Sequence, residues 1–354
     1  KTALIDTVKS SNADDFLFRL NLILDGRGLD YVVVNHMEPD HSGAMEQIRR
    51  LYPGAKFVGN AKTIEMMRNF YGIADGAVEV KEGEALELGR RRLVFAMAPM
   101  VHWPESMVSY EPTGGILFSN DIFGGFGSTE GGIFDDEADL DLVESEMMRY
   151  FVNIVGRFSK PALKALEKVR GLDVSLICPS HGPVWRSDPN RVIGLYEKWS
   201  RHETEEGVVV VYGSMYGCTK SASDEIARSL ARAGVRPVHV YDAARADMSF
   251  LTTDIWRHRG LVLSCCTYNM EMFPPVGALL RILENKGMTG RKIGLCGTYS
   301  WAPAALKEMS GFVERSRGGW TLVEPKIEIK SRPTGGDLER CRELGVNMAR
   351  AIKE

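Results

Sequence analysis

Residues 31–43 read Tyr-Val-Val-Val-Asn-His-Met-Glu-Pro-Asp-His-Ser-Gly, a β-forming run that gives way at once to ligand-capable side chains. Tyr31 to Val34 fit a buried strand, and His36, Glu38, Asp40 and His41 stand at its C-terminal end. Beyond them Ala44, Met45, Ile48 and Leu51 recur at helical spacing, so the cluster occupies a strand-to-helix turn, where side chains can converge on one point. A solvated turn is the bland alternative, but it gives no reason for four such groups within six residues.

Three later segments repeat the pattern with one ligand type each. Leu93–Met97 precedes His102, Gly115–Asn120 precedes Asp121, and Val174–Ser180 precedes His181. Any of these alone reads as a hydrogen-bonded structural residue. Joined to the first cluster, they complete a set of imidazoles and carboxylates sufficient for two adjacent metal ions.

The second half has a different grammar. Val208–Tyr212 is a buried strand, followed by a polar loop of Ser214, Met215, Tyr216, Gly217, Cys218 and Thr219. From Thr219 to Ala233 the spacing of Ala222, Ile226 and Leu230 predicts an amphipathic helix that ends at Gly234. Strand, hydroxyl-rich loop and helix N-terminus make a phosphate cradle, although an ordinary capped βα turn would explain the loop if it stood alone. It is not a Walker loop, because the GxxxxGK[ST] pattern is absent. Strand-like runs recur at Val238–Tyr241, Gly260–Leu263, Lys292–Leu295 and Leu322–Ile329, giving five βα units of a doubly wound parallel sheet. Two further strand ends carry polar loops, one with Cys265, Cys266, Thr267, Tyr268 and Asn269, the other with Gly297, Thr298, Tyr299, Ser300 and Trp301. Such sheets bind ligands outside the carboxyl ends of their strands at the topological switch point, where these loops would meet. Tyr268 and Trp301 either flank a flat ligand or are half-buried loop aromatics.

Composition sets the frame. A chain of 354 residues with 44% hydrophobic content can bury two cores. The charged stretch Arg201–Glu206, after a helix started by Asp188 and Pro189, places the division at 1–203 and 204–354. A net charge of −3 leaves no electrostatic footprint for nucleic acid, and no apolar run is long enough for a bilayer. Six cysteines without a CxxC spacing point to free thiols in a reducing cytoplasm. The adjacent Cys265 and Cys266 are redox-sensitive or simply small loop fillers. His202, His239 and His258 read as surface or structural residues without ligand partners. Gly124–Gly132 reads as a flexible loop over the metal pocket, and Asp135–Asp141 as a solvated helix start.

The HxExDH pattern of His36–His41, with His102, Asp121 and His181 at later strand ends, resembles the metallo-β-lactamase fold in the variant found in flavodiiron proteins. The second half resembles flavodoxin. The resemblance implies an αββα domain followed by a flavodoxin-like, doubly wound five-stranded sheet. Hydrolases of the superfamily usually carry HxHxDH and zinc, whereas Glu38 stands here in place of the second His, and a hard carboxylate suits iron. By resemblance, one iron takes His36, Glu38 and His102, the other Asp40, His41 and His181, with Asp121 between them. FMN is implied at the three loops of the second half. The implied activity is reduction of O2 to water, of NO to N2O, or both, at a non-haem di-iron site fed by FMN. The implied partners are an electron donor such as rubredoxin or a reduced deazaflavin, and a second copy in a head-to-tail homodimer, possibly a tetramer. The alternative is a zinc hydrolase fused to a flavodoxin-like electron-transfer module, and Glu38 argues against it. Lys1–Thr7 resembles the second strand of the metal-binding domain, which implies that the family's preceding N-terminal segment is missing here.

Overall fold

The computed structural model describes residues 1–73, 75–128, 132–316 and 319–354. Contacts divide the chain into Lys1–Ser200 and Arg201–Glu354. In the first unit, parallel strands β1 (Ala3–Ile5), β2 (Tyr31–Val33), β3 (Lys56–Gly59) and β4 (Val78–Glu79) form one sheet. A second sheet runs β5 (Ala85–Glu87), β6 (Arg92–Met97), β7 (Met107–Glu111) and β8 (Ile116–Asn120) antiparallel, with β9 (Leu176–Pro179) parallel to β8. Val33, Val58, Leu93, Phe95 and Met107 fill the space between the sheets. Val32 faces the other way, into a core with Leu20 and Leu24 of α1 (Ala13–Leu24). Ile48 of α3 (Met45–Leu51) and Met67 of α4 (Ala61–Tyr71) join that core, after the short α2 (Pro39–Ser42). Both faces of β2 are therefore buried, which is why its sequence is continuously apolar rather than alternating. The predicted apolar stripe on α3 is one residue narrower than expected, because Leu51 is exposed.

Helices α5 (Leu140–Tyr150), α6 (Ser159–Arg170) and α7 (Pro189–Ser200) complete this unit. Phe151, Tyr196 and Trp199 pack ring to ring at 5.1–5.6 Å, an aromatic seam that anchors α7. Two expectations are corrected here. Asp135 is buried and accepts from the amides of Arg186 and Ser187, so the acidic run begins as an internal clamp; the solvated helix starts only at α5, capped by Asp139. Gly124 and Gly125 are also buried, and a Cβ on Gly124 would lie 3.1 Å from the Tyr150 ring. These glycines permit close approach rather than flexibility. Thr129, Glu130 and Gly131 lie outside the described residues.

The second unit contains β10 (Glu205–Gly213), α8 (Cys218–Arg232), β11 (Val238–Asp242), α9 (Met248–Arg257), β12 (His258–Tyr268), β13 (Glu271–Met272), α10 (Pro274–Lys286), β14 (Arg291–Tyr299), α11 (Ala305–Arg315), β15 (Trp320–Leu322), β16 (Ile327–Lys330) and α12 (Gly335–Ala351). The parallel order β11-β10-β12-β14-β15 puts its switch point between β10 and β12, with β13 returning antiparallel on β12. The expected single strand Leu322–Ile329 is instead two, β15 and β16, both paired with β14. Pro325 lies between them, and without an N–H it cannot donate to β14 at that point.

His202 lies in this unit, its ring 4.5 Å from that of Trp256. Burial, helped by the Arg291 charge, pushes its pKa down to about 4. The unfolded chain takes up this proton near ~6.5, so between the two values the unfolded state binds more protons. The His202 contribution is intact above pH 6.5 and is lost as pH falls toward 4. Urea midpoints between pH 7.5 and 4.5 should therefore fall less steeply for His202→Phe than for the parent; equal slopes would remove this assignment.

Candidate metal centre and cofactor cleft

The first-unit site is built where four strands end. Asp6, just beyond β1, accepts from the amides of Asn35 and His36 at 2.7 and 3.3 Å and so shapes the chain leaving β2. Pro39 at the first turn of α2 then fixes the backbone that carries Asp40 and His41. Asn120 adopts a left-handed conformation (φ 58°), which Asn tolerates, and delivers Asp121 inward at the end of β8. His102 comes from the β6–β7 turn and His181 from the turn after β9. Gly182 (φ 78°) lies against Gly125, whose amide donates to the His181 carbonyl at 3.3 Å.

All seven predicted side chains meet in two groups, His36, Glu38, His102 and Asp121, and Asp40, His41 and His181. Asp121 touches both. Its Oδ2 is 3.5 Å from His36 Nε2 and 3.1 Å from His102 Nε2, while Oδ1 is 3.0 Å from His41 Nε2 and 3.5 Å from His181 Nε2. Glu38 Oε2 adds contacts of 3.3 and 2.9 Å to His36 and His102, and Asp40 Oδ2 lies 3.5 and 3.3 Å from His41 and His181.

The donor set fits cations better than it fits a hydrogen-bonded core. His41 and His181 face each other Nε2 to Nε2 at 3.3 Å, where at most one proton can lie between two acceptors. The buried atoms His102 Nε2 and Asp121 Oδ1 have no partner of hydrogen-bond geometry despite these short approaches, and buried Asp40 Oδ1 has no partner either. Charge tells the same story. Burial opposes protonation of His36 and His102, yet Glu105, Glu38 and Asp121 raise them to about 10 and 9. Glu38 is lowered to about 2 by His102 and His36, and Asp121, despite burial, is held well below the carboxylate range by the imidazoles. The carboxylates thus draw protons onto the rings wherever no metal ion supplies the positive charge, and metal ions would displace those protons.

Several participants escaped the sequence reading. Glu105 is fully buried and takes His36 Nδ1 at 2.7 Å and the Met37 amide at 2.9 Å. That contact leaves His36 Nε2 as the ring's inward nitrogen, the carboxylate–imidazole arrangement typical behind metal ligands. Its position three residues after His102 was the available signal. Tyr150, buried with its ring 5.5 Å from that of His181, gave none. Burial and the Asp121 charge raise its pKa, so the phenol stays protonated.

The second-unit cleft, about 310 Å³, opens at the carboxyl ends of β10, β12 and β14. Ser214, Met215, Tyr216, Cys218 and Thr219 line it from the first loop. Cys266, Thr267, Tyr268 and Asn269 come from the second loop, and Thr298, Tyr299, Ser300 and Trp301 from the third. Met270, Ala302 and Ser331, the last from a fourth loop after β16, had not been anticipated. The two predicted glycines do not line the cleft and serve the backbone instead. Gly217 takes φ 86° at the start of α8, and a Cβ on Gly297 would come within 2.7 Å of Leu306. No side chain caps α8, leaving its first amides for an anion, and Thr219 and Thr298 join two loops through a 2.7 Å hydroxyl contact. Trp301 is 85% exposed at the cleft, whereas Tyr268, 41% exposed, sets its ring edge-on to Phe273 at 6.2 Å while still lining the cleft.

Comparison with known proteins agrees with this architecture. The family described as ODP family beta lactamase matches residues 1–182, and Flavodoxin matches residues 210–345. The chain is 33% identical over 359 residues to a nitric oxide reductase of Moorella thermoacetica, covering 100% of this chain and 89% of that one. The rubredoxin oxygen:oxidoreductase of Desulfovibrio gigas superposes with a TM-score of 0.94 at 27% identity, covering 99% of this chain and 88% of that one. The flavodiiron protein of Giardia intestinalis gives 0.93 at 28% identity, over 99% and 86%. A metallo-β-lactamase-like domain joined to a flavodoxin domain defines a class of redox flavoproteins. Within that class this chain belongs to the flavodiiron protein family and is an oxidoreductase.

Proposed function

We propose that the chain reduces O2 to water, NO to N2O, or both, at a non-haem di-iron site with electrons supplied through FMN. The observation that carries this reading is Asp121, whose two carboxylate oxygens serve two separate imidazole pairs. His36, Glu38 and His102 would hold one iron, and Asp40, His41 and His181 the other, with Asp121 shared. Iron held by these residues would supply Lewis acidity and single electrons to a diatomic gas. Glu105 fixes the His36 ring, and Tyr150 holds a proton beside His181. In the second unit, the uncapped start of α8 would take the FMN phosphate, with Tyr268 and Trp301 on the ring system.

The exposure of Tyr216, Met270 and Trp301 around the cleft suits coverage by a partner surface, as a head-to-tail homodimer or its tetramer would supply. A rubredoxin is the electron donor favoured by the similarity to the Desulfovibrio gigas oxidoreductase, and a reduced deazaflavin is the other class of carrier to test. Among the described residues no helix is long and apolar enough to cross a membrane.

The test is metal and flavin content of anaerobically purified protein, followed by turnover of each gas. Two irons and one FMN per chain with gas consumption are expected from the two ligand groups and the flavodoxin domain. Zinc in both positions without gas consumption would overturn the reading.

Glu105 can be tested separately. Glu105→Gln keeps the shape but weakens the grip on His36 Nδ1, and loss of such a supporting carboxylate costs roughly 10- to 100-fold in metal affinity. Iron retained after graded chelation should fall accordingly, with FMN content unchanged; parental retention would make Glu105 a packing residue only.

A further inference from the structure

The described residues contain a third group with metal-ligating potential, His239, Asp254 and His258, distant in sequence from the first two and wholly within the flavodoxin unit. His239 lies on β11, the edge strand, Asp254 on the last turn of α9, and His258 at the first residue of β12. From sequence these histidines have no ligand partner. The fold supplies one, because β10 alone separates β11 from β12 and α9 runs directly into β12. One donor atom from each of the three residues falls within 4.8 Å of the others, and the two imidazole centroids are 5.1 Å apart.

Several details show that the arrangement is built rather than incidental. The His258 ring is buried over Gly207 (φ 140°), where a Cβ would come within 2.4 Å of its Cδ2; only glycine leaves room for the ring there. His258 Nδ1 lies 2.9 Å from the Asp254 carbonyl and donates to it, which leaves the lone pair on Nε2. A carbonyl–imidazole pair of this kind is the usual support behind a metal-binding histidine. Tyr241 Oη donates to Asp254 Oδ2 at 2.5 Å and steadies the carboxylate. His239 Nδ1 approaches the same oxygen at 3.7 Å, too far for a hydrogen bond. His239 is half-exposed, so solvent reaches the group.

We infer that His239, Asp254 and His258 form a binding site for a zinc-class divalent cation, separate from the centre of the first unit. Two imidazoles and one carboxylate are the donor set of borderline metals such as Zn²⁺, and three protein ligands leave a tetrahedral position for water. A cation there would tie the edge strand β11 to the α9–β12 junction.

The test uses the iron- and flavin-loaded protein, dialysed against Zn²⁺ and washed. Zinc and iron are then quantified, and a crystal treated identically is measured above the zinc absorption edge. The expected result is one added zinc per chain with iron unchanged, and an anomalous peak between His239 and His258. His239→Ala and Asp254→Asn should each abolish the added zinc while keeping iron and FMN; both change half-exposed or helix-end side chains, and the flavin spectrum reports folding. No added zinc, zinc gained only as iron is lost, or equal uptake by His239→Ala would each overturn the site.

Discussion

Asp121→Ala is expected to empty the metal centre of the first unit while the second unit keeps its FMN. Asp121 is almost completely buried, and its two oxygens serve the four imidazoles in pairs. Removing one member of a buried charged network costs about 3–5 kcal/mol, or on the order of 10²- to 10⁴-fold in affinity for the cations it helps to hold. Truncation also removes the one carboxylate that reaches all four imidazoles, leaving Glu38, Asp40 and Glu105 to offset positive charge at the edges of the group. Gas turnover should disappear with the iron. Asp121→Asn separates charge from shape: it retains the volume, and should lose nearly as much iron if the shared negative charge is what matters. Iron analysis beside flavin absorbance decides the matter. A variant with its full iron content would remove the shared-ligand role.

The largest effect on stability is expected from Arg291→Met in the flavodoxin unit. Arg291 is only 1% exposed, and its guanidinium donates to the carbonyls of Ile255, Trp256, Thr289 and His202. It thereby binds the end of α9, the turn before β14 and the first residues of the unit. Burial lowers its pKa to about 9, a sign of how costly the charge is to hold there. Methionine fills much of the space but donates nothing, so these carbonyls lose a charged donor, at a cost of roughly 3–5 kcal/mol. Guanidinium denaturation followed by far-ultraviolet circular dichroism and by FMN release should show the flavodoxin transition move to much lower denaturant. A shift below about 1 kcal/mol, the value of a single neutral hydrogen bond, would mean that water replaces the guanidinium freely.

The seven side chains that gather around Asp121 were legible because each follows an apolar strand, a pattern visible one segment at a time. Most of the side chains lining the second-unit cleft were legible for the same reason; Met270 and Ala302, at the far ends of their loops, were not, nor was Ser331, whose loop follows a strand that Pro325 cuts short. Residues that act through others were not legible. Glu105 sits in a turn with no strand signature, and Tyr150 looks like any helical aromatic until its ring is placed beside His181. That His239 and His258 meet beside Asp254 was not legible, because their proximity is a product of strand order, which no local window contains. The glycines at 124 and 125 were misread for a different reason. Composition treats glycine as freedom, whereas here Gly124 makes room for the Tyr150 ring and the Gly125 amide is held by the His181 carbonyl.

The residues that converge on Asp121 come from both sheets of the first unit. His36, Glu38, Asp40 and His41 follow β2, whereas His102, Asp121 and His181 leave β6, β8 and β9. Cations bound among them act as rivets across the open rim of the sandwich. The unit then has a melting point set partly by mass action, rising with free metal concentration and falling under chelation. Starved of such cations, the two sheets would part first at the rim that carries these side chains.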